Sequence, residues 1–250
     1  DAAAGSYTLE DSAPATTLSF AGLFDISTAS FVDSFSVSGQ DTSPHGVAFN
    51  TDGTKMFIGG RQDEDINEYT LTAGFDVSTA SFVDAFSVSS QDNFVKDVAF
   101  NTDGTKMFVV GGQNDSIYEY ALSTGFDVST ASYTQAFSVA SQETDPSAVA
   151  FNTDGTKMFV LGRSGDDVNE YALTTGFDVS TASFTDSFSV SAQETGPEGL
   201  AFSTDGTEMF VVGEAGDDVN RYTLTTGFDV STASYTDNFS IAAQEADPTG

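Results

Sequence analysis

The chain has 250 residues, 39% of them hydrophobic and 12% aromatic, with 38 acidic against seven basic residues and a formal net charge of −31. That apolar content excludes an acidic disordered tail, the charge excludes nucleic acid and opposes an anionic membrane surface, and the absence of cysteine excludes disulfides, thiol catalysis and Cys-ligated zinc. No apolar run approaches the ~20 residues of a membrane helix and the first five residues carry no signal pattern, so a soluble chain without membrane insertion is expected, suited to a saline or extracellular setting.

In chain order, residues 1–23 read as an irregular start, with short strands predicted at 6–9 and 15–20 that complete a first blade. Residues 24–250 then repeat at a fixed step. Phe-Asn-Thr-Asp-Gly-Thr-Lys-Met-Phe begins at Phe49, Phe100 and Phe151 and returns with two changes at Phe202, while Phe-Asp-Ile/Val-Ser-Thr-Ala-Ser begins at Phe24, Phe75, Phe126, Phe177 and Phe228. Both markers advance by 51 residues (75 − 24, 100 − 49), which gives units 24–74, 75–125, 126–176, 177–227 and a partial unit 228–250.

Within a unit, apolar and polar residues alternate with the period of strands and nowhere with that of a helix. For the third copy the pattern predicts strand a at 148–152, strand b at 157–162, strand c at 168–173, and strand d at 133–139 of the preceding segment. Asp154-Gly155 between a and b suits a tight hairpin turn, because both residue types tolerate positive φ. Between c and d, Asp178 is placed to accept the amides of Ser180 or Thr181 and fold that loop on itself.

Four-stranded units repeated at this length predict an all-β fold, a β-propeller of about five antiparallel blades in which each sheet packs on the next. Four a-strands are present against five d-strands, so one a-strand is lacking. Either the natural protein continues past Gly250, or a strand from elsewhere completes the ring and offers a route to self-association.

The run from Pro44 to Ile58, followed by Asp65-Ile66-Asn67-Glu68-Tyr69, resembles the YVTN, NHL and lactonase-like propeller repeats over nearly the whole chain. The Phe-Asp-Val-Ser-Thr-Ala-Ser insertion looks like repeats of marine bacterial and phage appendage proteins. The first resemblance implies the fold and leaves activity open, since those families include binding proteins, scaffolds and some hydrolases.

Differences between copies fall on the d–a loops (41–46, 92–97, 143–148, 194–199, 245–250) and the b–c loops (61–65, 112–116, 163–167, 214–218), which leave an antiparallel blade on one face. That variable face is the expected contact surface. His45, Arg61, Phe94, Lys96, Tyr118 and Arg163 are its candidate binding residues: scarce positive charges, the single histidine, and two aromatics that depart from the repeat. Asp63 and Asp65, Asp166 and Asp167, and Asp217 and Asp218 are the candidate metal ligands. No cofactor is required by the sequence, and Ca2+ is the ion such oxygen ligands would take, although they lack the spacing of a dedicated calcium loop.

Together these features predict a non-catalytic recognition or adhesion module on an extracellular, cell-surface or virion structure, meeting glycan or surface protein through the variable loops and avidity. Two alternatives stand beside it: a structural subunit assembled by strand addition, and a divalent-cation-dependent, lactonase-like hydrolase.

Overall fold

A computed structural model describes residues 25–245 and 248–249. The strands predicted at 6–9 and 15–20 lie outside the described residues. Sixteen strands form four antiparallel sheets, each a simple meander of four consecutive strands. The first holds β1 (Pro44–Phe49), β2 (Lys55–Gly60), β3 (Asp65–Leu71) and β4 (Ala80–Ser87), and the second β5 (Val95–Phe100), β6 (Lys106–Gly111), β7 (Ser116–Leu122) and β8 (Ala131–Ser138). The third holds β9 (Pro146–Phe151), β10 (Lys157–Gly162), β11 (Asp167–Leu173) and β12 (Ala182–Ser189), and the fourth β13 (Pro197–Phe202), β14 (Glu208–Gly213), β15 (Asp218–Leu224) and β16 (Ala233–Ser240).

The architecture is a β-propeller, with four complete sheets among the described residues where about five were expected. One assignment is corrected. In the third sheet the partner of β11 is the strand that follows it, with Tyr171 opposite Phe184, and residues 133–138 belong to the second sheet as part of β8. A short c–d connection favours pairing with the next strand over a return to an earlier one.

The first strands β1, β5, β9 and β13 are neighbours in sequence around the ring axis. A ladder of threonines ties their outgoing turns together: Thr51, Thr102 and Thr153 each donate from Oγ1 to the carbonyl of the threonine one repeat on, at 3.1, 3.2 and 3.3 Å. In the a–b turn only the glycine has positive φ, +71° at Gly53, so Asp52 does not play the left-handed role foreseen for it. Its carboxylate instead accepts the amide and hydroxyl of Thr54 at 3.0 and 2.6 Å, and these bonds lower its pKa. The next loop packs onto that turn: Phe75, itself at φ +60°, covers Gly53 so closely that a Cβ there would meet its ring at 2.4 Å.

The core lies in the joints between sheets. Tyr69, Tyr120, Tyr171 and Tyr222 are fully buried, each meeting edge-on a phenylalanine of the preceding d segment (Phe35, Phe86, Phe137 and Phe188). A fully buried phenylalanine such as Phe57, Phe108 or Phe159 contributes roughly 1.5–3 kcal/mol. Polar stitches lie beside these rings. Lys55 pairs with Glu68 at 2.6 Å and donates to the carbonyl of Phe126, while Glu68 accepts the amide of Val128, so one ion pair holds two sheets. The fourth sheet reverses the charges, Glu208 facing Arg221 at 3.6 Å.

Candidate functional site

All four inner strands break register at the same point. The pairing jumps from Pro44 to Gly46, from Val95 to Asp97, from Pro146 to Ala148 and from Pro197 to Gly199, which leaves His45, Lys96, Ser147 and Glu198 as bulged residues. A bulge twists the strand and re-aims the side chain of the extra residue. Repetition thus builds a ring of four equivalent positions at one end of the axis, and the sequence fills them with an imidazole, an ammonium, a hydroxyl and a carboxylate. Thr249 continues the series: it donates to the carbonyl of Pro44 at 3.1 Å, as Ser147 does to that of Pro197 at 2.8 Å.

Lys96 and Glu198 are 5% and 2% exposed. Burial pushes the Glu198 carboxyl up to about 7 against the pull of Lys96 and Arg163, so both of its protonation states are populated near neutrality. One oxygen of Glu198 accepts from Arg163 Nη1; among the described residues Oε2 accepts no hydrogen bond. Arg163 also grips Glu214 through both nitrogens, at 3.0 and 2.7 Å, and so bridges the third and fourth sheets. Lys96 lies 3.8 Å from Asp145 and 5.1 Å from the centre of the Phe94 ring, whose face also carries Arg61 at 3.5 Å.

Next to Lys96, Asp97 occupies a position that is Gly46, Ala148 or Gly199 in the other sheets. Its carboxylate spans the axis side of the joint, accepting the amides of Val98 at 2.8 Å and Val149 at 2.9 Å, and burial raises it to about 7. His45 moves the other way: burial, then Lys96 and Arg61, lower its pKa, so it is neutral at pH 7. Among the described residues neither ring nitrogen has a hydrogen-bond partner.

Of the candidates named from sequence, His45, Arg61, Phe94, Lys96 and Arg163 fall at or beside this ring. Tyr118 does not join them. It is 6% exposed, packs in the joint between the first two sheets, and its hydroxyl sits 3.3 Å from Asp92. Two carboxylates central to the cluster, Asp97 and Glu198, were passed over because each reads as one more acid in a loop; the signal in the sequence was that both positions change from copy to copy beside a nearly constant strand.

The paired acids have other work. Asp166 and Asp217 take positive φ, +47° and +49°, within the b–c turn, and their carbonyls accept the amides of Val190 and Ile241. Asp167 and Asp218 open the c-strands and bind Asn169 and Asn220 at 2.6 and 2.7 Å. In the first sheet Asp63 lies in the equivalent b–c turn and Asp65 opens β3. Among the described residues no three His, Asp or Glu side chains converge to hold a metal.

No family model and no curated protein matches the sequence. Solved structures do. A protein of Bacteroides uniformis, provisionally assigned as a 6-phosphogluconolactonase, aligns with TM-score 0.52 and 13% identity over 79% of this chain and 55% of its own. A Bacteroides fragilis protein with the same assignment gives 0.51 and 16% over 84% and 59%, and the hydrazine synthase of Kuenenia stuttgartiensis 0.52 and 14% over 84% and 52%. This chain therefore spans little more than half the length of these structures. At such identity the likeness establishes the propeller fold. The names these neighbours carry are those of enzymes, two of them lactonases, which corrects the expectation of a non-catalytic adhesion module or virion appendage.

Proposed function

We propose that the protein is a lactonase-like hydrolase that opens a cyclic ester at the bulge ring. The observation that carries the reading is Glu198: a buried carboxylate with a pKa near 7, one oxygen held by Arg163 and no hydrogen bond to the other among the described residues, on the same ring as the ammonium of Lys96. A base tuned to the working pH is what water activation needs. Two structural neighbours assigned to lactone hydrolysis support the choice of reaction class.

In the proposed step, Glu198 takes a proton from water as its oxygen attacks the lactone carbonyl carbon. Lys96 and Arg163 supply positive charge for the oxyanion that develops there. When the ring C–O bond breaks, the proton passes from Glu198 to the departing alkoxide, giving the open hydroxy acid with all atoms accounted for. Neutral His45 offers one donor and one acceptor to the substrate. No step is routed through a metal.

The test is proton release at pH 8 from a panel of sugar and aliphatic γ- and δ-lactones. Wild-type protein is expected to hydrolyse at least one class, with kcat/KM falling about 100-fold or more in Glu198→Gln. Absence of turnover across the panel, or a Glu198→Gln variant as active as wild type, would overturn the proposal.

A further inference from the structure

The second repeat departs from the other copies in one place. Its d–a loop reads Asp92-Asn93-Phe94-Val95-Lys96-Asp97, where the first, third and fourth copies have threonine for Asn93, proline for Val95, and Ser43, Asp145 or Gly196 for Phe94. The b–c loop beside it changes too: Gly112 stands where those copies have Arg61, Arg163 and Glu214. These departures are matched in space. Gly112 donates its amide to the carbonyl of Phe94 at 2.9 Å, and a Cβ on Gly112 would meet the Phe94 ring at 2.6 Å, so the ring lies over that loop because the loop is bare there. Asn93, Phe94, Gly112 and Gln113 line an open hollow of 360 Å³, a volume within the range of small-molecule pockets.

Arg61 of the first sheet reaches the same ring. Its guanidinium carbon stands 3.5 Å from the centre of Phe94, while the Lys96 ammonium approaches to 5.1 Å. In the third sheet the equivalent Arg163 is committed to Glu214, one repeat on, and to Glu198. One repeat on from Arg61 the acid is missing, because that position is Gly112. Arg61 is exposed, and among the described residues it pairs with none of the acids. Stacking uses the flat face of a guanidinium and leaves its N–H donors, which lie in the plane, free to grip a carboxylate. Lys96, by contrast, is offset by Asp145 at 3.8 Å.

We infer that this hollow receives the carboxylate end of an acidic sugar, and that the substrate of the hydrolase proposed above is a sugar-acid lactone bearing one free carboxylate. The substrate assignment rests on that hydrolase reading; the binding site stands without it. Arg61 takes the carboxylate in its fork, Phe94 supplies an apolar surface for the C–H face of the sugar, and Asn93 and Gln113 serve its hydroxyls. Lys96 borders both the hollow and the bulge ring, so a ligand held by Arg61 extends its lactone toward the reacting groups. A carboxylate suits the site better than a phosphate dianion. The net charge of −31 opposes each added negative charge, and Arg61 alone is uncommitted here to answer it.

The test measures binding of glucuronate, neutral glucose and glucose 6-phosphate to the full chain by isothermal titration calorimetry, and hydrolysis of glucaro-1,4-lactone beside glucono-1,4-lactone. Glucuronate is expected to bind about tenfold or more tighter than either of the others, and Arg61→Gln to remove that margin. Phe94→Ser, which installs the residue of the first copy, should weaken glucuronate to a similar degree, with circular dichroism confirming that both variants keep their sheets. In turnover, Arg61→Gln should raise KM for the carboxylated lactone about tenfold and leave the neutral one unchanged. Glucuronate binding no tighter than that of glucose, or undiminished in Arg61→Gln, would overturn the inference, and tighter binding of the 6-phosphate would overturn the choice of carboxylate. Arg61-dependent binding without turnover of either lactone would uphold the site and overturn the hydrolase reading.

Discussion

In the proposed hydrolysis Glu198 ties catalysis and stability to the same proton. Its folded pKa of about 7 lies above the ordinary 4.5, so between those values the folded chain holds a proton that the unfolded chain has released. Stability from this group is therefore full below about pH 4.5, falls as pH rises to about 7, and is level beyond. Glu198→Gln, which imitates the protonated acid, should remove that slope: its melting temperature relative to wild type is expected to climb between pH 4.5 and 7 and then hold constant, as followed by circular dichroism. Activity runs the opposite way, because the base must be ionised, so kcat/KM should rise to a plateau above about pH 7. A pH–rate profile with no inflection between 6 and 8 would detach Glu198 from the chemistry. The bulge that aims this side chain was invisible in the sequence. Pro197-Glu198-Gly199 shows only that the position varies between copies, whereas the register jump depends on how two strands pair.

Individual elements explain why so many acids on the variable face are not ligands. Asp92, Glu143 and Glu194 recur at one position, are buried, and clamp each d–a loop to the next b–c loop. Glu143 accepts the amides of Asp145, Ser164 and Gly165 at 2.6, 3.2 and 3.0 Å, and Glu194 those of Gly196, Ala215 and Gly216. A carboxylate bonded to backbone amides contributes about 1.5–3 kcal/mol. Glu143→Ala, which removes the buried acceptor shared by three backbone amides, should lower the melting temperature by about 5 °C or more by scanning calorimetry, and Thr144→Ala on the same loop should change it little. The strands, the a–b turn and the Asp178 to Ser180 bond at 3.1 Å were legible in sequence because they rest on local periodicity and turn chemistry. These clamps were not, because each joins residues 21 or 22 apart whose meeting depends on the sheet between them.

Across the whole molecule the charges are arranged by repetition and balanced in few places. Lys55, Lys106 and Lys157 are spent on inter-sheet stitches, and Arg61, Lys96 and Arg163 gather at the bulge ring, which leaves most of the 38 acids facing one another through solvent. Repulsion among exposed like charges is screened over ~10 Å at 0.1 M salt and ~3 Å at 1 M, while the buried stitches are screened far less. Salt should therefore stabilise the ring: raising NaCl from about 0.02 to about 0.5 M is expected to lift the melting temperature by several degrees. The same titration separates screening from a specific ion. Since no three acids converge among the described residues, Ca2+ should match Mg2+ at equal concentration. A saturable stabilisation by micromolar Ca2+ that Mg2+ does not reproduce would instead reveal a coordination site, with Asp166 and Asp217, whose buried Oδ1 atoms have no hydrogen-bond partner among the described residues, the first positions to substitute.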